Sequence, residues 1–385
     1  MISELISNIA PSPTLSLNAK AKEMKNNGVD VLNFAVGEPD MDTPGNIKEA
    51  AKKALDEGHT KYTAAAGSIK LREAISKKFL NENGVNYSSS EIVAGSGAKP
   101  LLYAALLTLC NPGDEVILAA PYWVSYIELI KLCKAIPVFV EAKEENRFML
   151  KANDIEEKIS DKTKILLINT PSNPTGAVIT REELERIAEL SKKHDLYVLA
   201  DEIYEKLVYG VSHFSVAGID DDQKNRTITV NGASKAYSMT GLRLGYLGAS
   251  TEIAKAVSNF LSNINGNPCS IVQEAFIEAL EGPQDEVSKM RDEFEKRRNL
   301  FHEGLNKIDG ITCTKPNGAF YLYANVSGKF SGEINTPSKF AEMLLDKTYI
   351  AVVPGEIFGT IKHVRFSYAA SIETIEKCLG RLKEI

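Results

Sequence analysis

Residues 164–201 read KILLINTPSNPTGAVITREELERIAELSKKHDLYVLAD, and this stretch decides the fold class. The apolar run KILLINT predicts a strand, and the turn PSNPTG that follows it predicts a rigid loop. REELERIAELSKKH repeats apolar residues at helical spacing, and LYVLAD predicts a second strand. A strand, a helix and a strand of these lengths indicate a βαβ unit, in which the two strands are parallel and buried.

The same alternation extends from about residue 90 to residue 250. The runs that carry it are EIVAG, PLLYAALLTLC, EVILAA, VSYIELIKLC, PVFVEA, TITVNG and LGYLGAS. They predict an α/β fold with a mainly parallel sheet, which binds ligands at the carboxyl ends of its strands. Beyond residue 283, a long charged helix and the runs AFYLYANV, AVVPG and HVRFSYA predict a smaller α+β unit. We expect a large domain over 31–282, and a small domain formed by 1–30 together with 283–385.

The composition excludes several classes of protein. The chain has 385 residues, of which 25% are charged, and its net charge of −6 disfavours nucleic-acid binding. Its five cysteines form no CxxC pair, which favours a reducing, cytoplasmic location. No apolar run approaches the roughly 20 residues of a membrane span. The five histidines show no metal-ligand spacing, so we expect them at the surface and expect no metal.

Residues that carry chemistry follow several of the predicted strands. The turn VAGSGAKP places Gly95 and Gly97 between a strand and a helix, where free backbone N–H groups bind anions. The turn is not a dinucleotide motif, because Pro100 stands where GxGxxG requires its third glycine. Asn173 and Asp201 follow the two strands quoted above. A buried Asp201 needs a cationic partner, which is either protein or ligand.

A lysine and an arginine complete the set. Lys235 and Arg243 lie in NGASKAYSMTGLRLG, directly after the predicted strand TITV. A desolvated lysine serves as a Schiff-base amine, an arginine binds phosphate through two hydrogen bonds, and a carboxylate holds a pyridinium nitrogen. Tyr204, three residues beyond Asp201, is expected at the same site. Together these demands describe pyridoxal 5′-phosphate, whose aldehyde accounts for a buried lysine without an acidic partner.

The chain resembles, from end to end, the class I family of fold-type I pyridoxal-phosphate-dependent aminotransferases. GEPD, KYTAAAG, PYWVSY, SNPTG, DEIY, GASKAYSMTGLRLG and VRFSYA occur in family order, and they most resemble the prokaryotic Iβ aspartate aminotransferases. The resemblance implies a seven-stranded, mainly parallel sheet in the large domain, and a homodimer. It also implies that Lys235 forms the internal aldimine and moves the substrate proton, while Asp201 pairs with the pyridine nitrogen.

The resemblance assigns roles to further residues. Tyr204 and Asn173 hydrogen-bond the phenolic oxygen of the cofactor, and Trp123 stacks on its ring. The residues that it places around the phosphate are Gly97, Ala98, Lys99, Ser234, Arg243 and, from the neighbouring subunit, Tyr62. The residues that it places around the substrate are Arg365 and Gly37 at the α-carboxylate, Asn173 and Trp123 beside the cofactor, and Lys99, Ser12 and Thr14 toward the distal carboxylate.

The activity implied by the resemblance is transfer of the amino group of L-aspartate to 2-oxoglutarate by a ping-pong route. Prephenate or aromatic transamination on the same site is the alternative, because a lysine at position 99 is a flexible point charge that tolerates other substrates. Alanine transamination and C–S lyase chemistry lie further away. The rivals from other classes are a ligand sensor, which usually carries a helix-turn-helix domain, and a Rossmann oxidoreductase, which Pro100 disfavours.

Overall fold

The computed structural model describes residues 2–7, 9 and 13–385. The strands in this range are β1 (Leu32–Asn33), β2 (Ile92–Gly95), β3 (Glu115–Ala120), β4 (Ile136–Glu141), β5 (Thr163–Asn169), β6 (Tyr197–Asp201), β7 (Thr227–Gly232), β8 (Gly245–Gly248), β9 (Thr312–Cys313), β10 (Tyr321–Asn325), β11 (Ile350–Ala351), β12 (Val353–Pro354) and β13 (His363–Ser367). The helices are α1 (Glu4–Ser7), α2 (Pro13–Asn26), α3 (Gly45–Asp56), α4 (Ile69–Lys78), α5 (Ala98–Leu109), α6 (Ser125–Leu132), α7 (Ala152–Glu156), α8 (Arg181–Lys193), α9 (Asp221–Arg226), α10 (Ala233–Ala236), α11 (Thr251–Ile264), α12 (Ser270–Glu281), α13 (Asp285–Leu305), α14 (Pro337–Thr348) and α15 (Ile372–Leu382).

The large sheet has seven strands in the order β2-β8-β7-β6-β5-β3-β4. β8 is antiparallel to β2 and β7, and the other neighbouring pairs are parallel, which confirms the predicted α/β class. Successive residues of a strand face opposite sides of the sheet. Leu167 packs with the residues of α5 and α11 on one side, and Ile168 packs with those of α8 on the other. Helices therefore cover both faces of the sheet.

The βαβ unit quoted above forms as predicted, for local reasons that the sequence shows. The side chain of Thr180 caps α8 by accepting a hydrogen bond from the backbone N–H of Glu183. In the sheet, Asn169 at the end of β5 lies opposite Asp201 at the end of β6, and Asp201 lies opposite Val230 of β7. The three strands end together, so the loops that follow them meet at one edge of the sheet.

The C-terminal part forms an antiparallel sheet in the order β12-β13-β10-β9. The N-terminal segment joins it, because β1 pairs in parallel with β11 and the ring of Phe34 lies 5.2 Å from that of Phe301 in α13. Ala21 of α2 packs in the same way against Leu345 of α14. The contact of Ala21 supports our proposal of a small domain formed by 1–30 and 283–385, whereas β1 and Phe34 lie beyond the proposed boundary at residue 30 and still pack with the C-terminal part.

Two histidines are not at the surface, contrary to the prediction. His363 in β13 is 6% exposed, and its Nε2 lies 3.1 Å from Glu144 Oε2. The ring of His213 is also buried, with its Nε2 3.1 Å from Glu202 Oε2. The prediction was wrong because a neighbouring carboxylate lies within hydrogen-bond distance of Nε2 in each ring and so favours its burial. Within the described residues, no helix combines the length and the apolar character that crossing a bilayer requires.

Candidate active site

A cavity of about 370 Å³ lies at the edge where β5, β6 and β7 end, beside the N-terminus of α5. It brings together eleven of the predicted site residues: Gly37, Ala98, Lys99, Trp123, Asn173, Asp201, Tyr204, Ser234, Lys235, Arg243 and Arg365. It is also lined by residues without a predicted role, among them Asn18, Glu38, Tyr126, Thr240 and Tyr321. These lining residues therefore come from segments that are far apart in the sequence.

Lys235 reaches the cavity from α10, the short helix that begins directly after β7. Its Nζ donates a hydrogen bond of 2.5 Å to the carbonyl oxygen of Gly37. Burial lowers the pKa of its ammonium group to about 8, and the nearby charge of Glu38 partly opposes that effect. An amine with this pKa is partly neutral near neutral pH, which is the form that attacks an aldehyde.

Asp201 is a buried carboxylate, and no cationic side chain of residues 13–385 forms a salt bridge with it. Its Oδ2 accepts a hydrogen bond of 2.7 Å from the hydroxyl of Tyr126, and its Oδ1 accepts one of 3.3 Å from the backbone N–H of Ile203. Burial raises the pKa of the carboxyl to about 6. A cationic ring nitrogen in the cavity would supply the partner that the protein does not, and would keep the group ionised.

Gly97 and Arg243 shape an anion site at the start of α5. Gly97 has φ +98°, a left-handed conformation, and a Cβ there would lie 2.4 Å from Nη2 of Arg243. Only glycine allows the guanidinium to lie against this turn. Arg243 itself has φ +56°, and its Nη1 donates to the carbonyl oxygen of Thr240 at 2.9 Å. The exposed end of Arg243, Ser234 and the first N–H groups of α5 therefore converge on one place, as a phosphate requires.

Arg365 projects from β13 on the other side of the cavity and is 3% exposed. Its Nη1 donates to Asn173 Oδ1 and its Nη2 to the carbonyl oxygen of Ala35, each at 2.9 Å. The Nε atom has no hydrogen-bond partner among the described residues. A buried guanidinium without a carboxylate partner is costly, so this one suits a carboxylate that comes with the ligand.

Trp123 and Lys99 line the cavity between the anion site at α5 and Arg365. The ring of Trp123 packs edge-on against Tyr126 at 5.1 Å, and Lys99 Nζ lies 4.9 Å from the Trp123 ring centroid. Burial lowers the pKa of Lys99, and the charge of Arg243 lowers it further. Lys99 is thus a cationic group that can pair with a second carboxylate when Arg365 binds the first, as a ligand with two carboxylates requires.

Sequence reasoning missed two anchors of the loop that carries Gly37. Thr240 donates a hydrogen bond of 2.9 Å to Glu38 Oε2, which ties the loop to the segment of Arg243. Arg297 of α13 donates from Nη1 to both oxygens of Asp40, at 2.7 and 2.9 Å. Glu38 and Asp40 belong to the quoted motif GEPD. The motif indicated that this loop is part of the site, but it does not reveal that Thr240 and Arg297 bind these two carboxylates.

Four predicted site residues are not among the described residues that line this cavity, and one of them, Gly97, lies directly beside it against Arg243. The side chain of Tyr62 is 96% exposed, as expected of a residue that serves another subunit. Ser12 lies outside the described residues. Thr14 lies in α2, and its side chain is also outside the description. Their roles remain predictions.

Pyridoxal phosphate fits the residues that are present. Asp201 has the place and the free acceptor capacity for a protonated ring nitrogen, and Lys235 offers an amine of lowered pKa. The turn at Gly97 and the guanidinium of Arg243 form an anion site at the end of a 12-residue helix. A carboxylate, an amine and an anion site of this kind match the three polar groups of the cofactor.

Comparison with known proteins agrees with this chemistry. The family model for aminotransferase class I and II matches residues 29–382. An aspartate aminotransferase of Bacillus sp. (strain YM-2) is 43% identical over 99% of this chain and 98% of its own. A probable aspartate/prephenate aminotransferase of Aquifex aeolicus is 45% identical over 98% of this chain and 97% of its own. The solved aspartate aminotransferase from Thermus thermophilus with maleate gives a TM-score of 0.96 at 40% identity, covering 100% of this chain and 99% of that one. The chain belongs to the class I and II aminotransferases.

Proposed function

We propose that this protein is a pyridoxal-phosphate-dependent aminotransferase that transfers the amino group of L-aspartate to 2-oxoglutarate, forming oxaloacetate and L-glutamate. The observation that carries the proposal is the content of one cavity. An amine of lowered pKa, a buried carboxylate without a cation, and two cationic groups for a dicarboxylic substrate all line it. Relatives named aspartate aminotransferase that match nearly the whole chain support the same substrates.

We assign the cofactor to the residues that fit its polar groups. Asp201 would hold the ring nitrogen, Tyr204 and Asn173 the phenolic oxygen, and Trp123 the ring face. The phosphate would be held by the turn at Gly97, the backbone N–H groups of Ala98 and Lys99, and the side chains of Ser234 and Arg243. When bound, pyridoxal phosphate joins amines through its aldehyde and takes up the electron pair that a departing α-proton leaves behind.

The chain's own residues then bind the substrate and move its proton. Arg365 binds the α-carboxylate, and the backbone of Gly37 lies beside it, where it already contacts Lys235. Lys235 Nζ takes the proton from the substrate α-carbon, and its pKa of about 8 suits a base that works near neutral pH. Tyr126 and the N–H of Ile203 hold Asp201 in place.

We assign the distal carboxylate to Lys99, with Ser12 and Thr14 closing the site from the N-terminal segment. Prephenate also carries two carboxylates, and some relatives are named aspartate/prephenate aminotransferases, so prephenate is the second candidate substrate. Amino acids with uncharged side chains would gain nothing from Lys99, because they have no second carboxylate to pair with it.

Substitution of Lys99 tests this assignment. We expect Lys99→Gln to raise KM for aspartate about tenfold or more, the order expected when a charged hydrogen bond is lost, and to leave KM for phenylalanine nearly unchanged. Lys164→Gln is the matched control, because Lys164 Nζ also lies over an aromatic ring, 5.2 Å from Tyr197, but outside the cavity. Steady-state rates with aspartate, glutamate, prephenate and phenylalanine give the comparison. Equal effects on aspartate and phenylalanine would contradict the role of Lys99.

We also propose a cytoplasmic homodimer in which Tyr62 completes the phosphate site of the neighbouring subunit. The exposed ring of Tyr62 and the exposed end of Arg243 support a site that is completed from outside the chain. The five cysteines are free thiols, four of them buried, as is usual in a reducing compartment.

A further inference from the structure

Tyr321 contacts both halves of the site, and neither the motifs nor the proposed mechanism uses it. It lies in β10, is 0% exposed, and its hydroxyl oxygen is 2.8 Å from that of Tyr204. Its ring faces the guanidinium of Arg365, with Arg365 Cζ 4.4 Å from the ring centroid. A Cβ on Gly37 would lie 3.2 Å from the Tyr321 hydroxyl oxygen, so the loop also fits closely against it.

The positions of these residues follow from strand pairing. Tyr321 pairs with Ser367 and Tyr323 pairs with Arg365 in the antiparallel β10–β13 ladder. Tyr321 and Arg365 are therefore diagonal neighbours on one face of the sheet. Tyr204 comes from the loop after β6, in the large sheet. Tyr321 thus bridges the α-carboxylate arginine and the tyrosine assigned to the cofactor oxygen.

The direction of the hydrogen bond between the two tyrosines decides what Tyr204 can do. Each hydroxyl has one hydrogen to donate. If Tyr204 donates to Tyr321, it has no hydrogen left for a ligand oxygen, and if Tyr321 donates, the Tyr204 hydrogen is free to point into the cavity. Burial raises the pKa of both hydroxyls, and the positive charge of Arg365 opposes this rise at both, but its guanidinium lies on the ring of Tyr321 and is the main opposing effect there. The more acidic hydroxyl is the better donor.

We propose that Tyr321 is a positioning residue: stacked on Arg365, it donates to Tyr204 and so directs the Tyr204 hydroxyl hydrogen toward the phenolic oxygen of the cofactor. This inference rests on the proposed function. A carboxylate bound at Arg365 neutralises the guanidinium and weakens the donation from Tyr321. Occupation of the α-carboxylate site is therefore coupled to the hydrogen bond at the cofactor oxygen, and by linkage the coupling acts in both directions.

The test uses the visible absorption band of the cofactor-loaded enzyme, titrated with pH with and without maleate, in the absence of turnover. Tyr321→Phe keeps the ring and removes the hydroxyl. We expect the midpoint, the pH at which half of the band has changed, to rise by about 0.5 units in this variant. A hydroxyl that accepts a hydrogen bond donates more strongly, so Tyr204 without the donation from Tyr321 stabilises the cofactor oxygen less. We also expect maleate to shift the midpoint less in this variant than in the wild type, because one of the routes between the two sites is missing.

Tyr321→Leu removes the ring beneath Arg365, and we expect it to raise the dissociation constant of maleate about fivefold, whereas Tyr321→Phe changes it less. Tyr368→Phe is the matched control, because Tyr368 is equally buried and its hydroxyl donates to the carbonyl oxygen of Ala319 at 3.0 Å. A Tyr321→Phe enzyme with the midpoint and maleate shift of the wild type would overturn the inference, and so would a control that moves equally. Absence of a visible band from the wild type would instead refute the assignment of the cofactor.

Discussion

The hydrogen bond from Tyr126 to Asp201 gives a prediction whose size follows from the structure. Burial raises the pKa of Asp201 from an ordinary 3.8 to about 6. Ionising this carboxyl in the cofactor-free folded protein therefore costs about 3 kcal/mol relative to the unfolded chain. Tyr126 reduces that cost, because its hydroxyl donates to Asp201 Oδ2 at 2.7 Å and both side chains are buried.

The Tyr126→Phe substitution removes this donor and keeps the ring. A hydrogen bond to a charged group contributes about 1.5–3 kcal/mol, which corresponds to about one to two pH units. We therefore expect the pKa of Asp201 in the variant to lie at about 7–8. A carboxyl whose pKa is raised in the folded state stabilises the protein below pH 3.8, and this stabilisation is lost as the pH rises through the folded value.

The expected loss of stability with rising pH determines how the effect of Tyr126→Phe is measured. Both proteins keep Asp201 largely protonated at pH 5, so the contribution of its ionisation to the free energy of unfolding differs little between them there. Between about pH 6 and pH 8 the variant continues to lose stability after the wild type has levelled off. Urea denaturation of the two cofactor-free proteins, at one protein concentration and several pH values, measures the difference.

The control repeats the comparison in an Asp201→Asn background, where no charge forms and the effect of Tyr126→Phe should not depend on pH. A difference between wild type and Tyr126→Phe that stays the same from pH 5 to pH 8 would show that the hydroxyl does not stabilise the ionised carboxylate.

Two further predictions concern Lys235 and Tyr62. Covalent capture of added pyridoxal phosphate by the cofactor-free enzyme needs the neutral amine of Lys235. The rate of capture should therefore increase with pH and level off above about pH 8. A rate that continues to rise to pH 10.5 would contradict the lowered pKa of Lys235. If Tyr62 serves the neighbouring subunit, mixing equal amounts of the Lys235→Ala and Tyr62→Ala proteins should restore about a quarter of the wild-type activity. After exchange of subunits, half of the dimers contain one of each, and such a dimer has one intact site. If no activity returns after exchange, Tyr62 does not belong to the partner's site.

The sequence predicted the parallel sheet and the chemistry at its edge, because both depend on local order along the chain. Asn173, Asp201 and Lys235 each follow an apolar run, and the carboxyl ends of neighbouring parallel strands meet. Arg365 lies far along the chain in a different sheet, and only the resemblance to a family brought it into the site.

The contacts that support these residues were not predictable in the same way. Tyr126 is part of PYWVSY and Tyr321 is part of AFYLYANV, but a sequence does not give the packing angle that places a hydroxyl 2.7 or 2.8 Å from another oxygen. Buried histidines were missed for a related reason, since the carboxylate that contacts Nε2 of His363 belongs to Glu144, more than two hundred positions away.

The loop that carries Gly37 is fastened to the C-terminal part at several points. The backbone N–H of Phe34 donates to Ala351, the N–H of Ser367 donates to Phe34, and Arg297 binds Asp40. Other hydrogen bonds tie the same loop to the segment between β7 and β8 of the large sheet, because Thr240 donates to Glu38 and Lys235 donates to Gly37. Residues 34–40 therefore connect the strand of Arg365 with the segments that carry Lys235 and Arg243. If Arg365 and Lys99 bind the two carboxylates as we propose, the separation of these two cations selects the length of the dicarboxylate, and a ligand with one carboxylate pairs with only one of them.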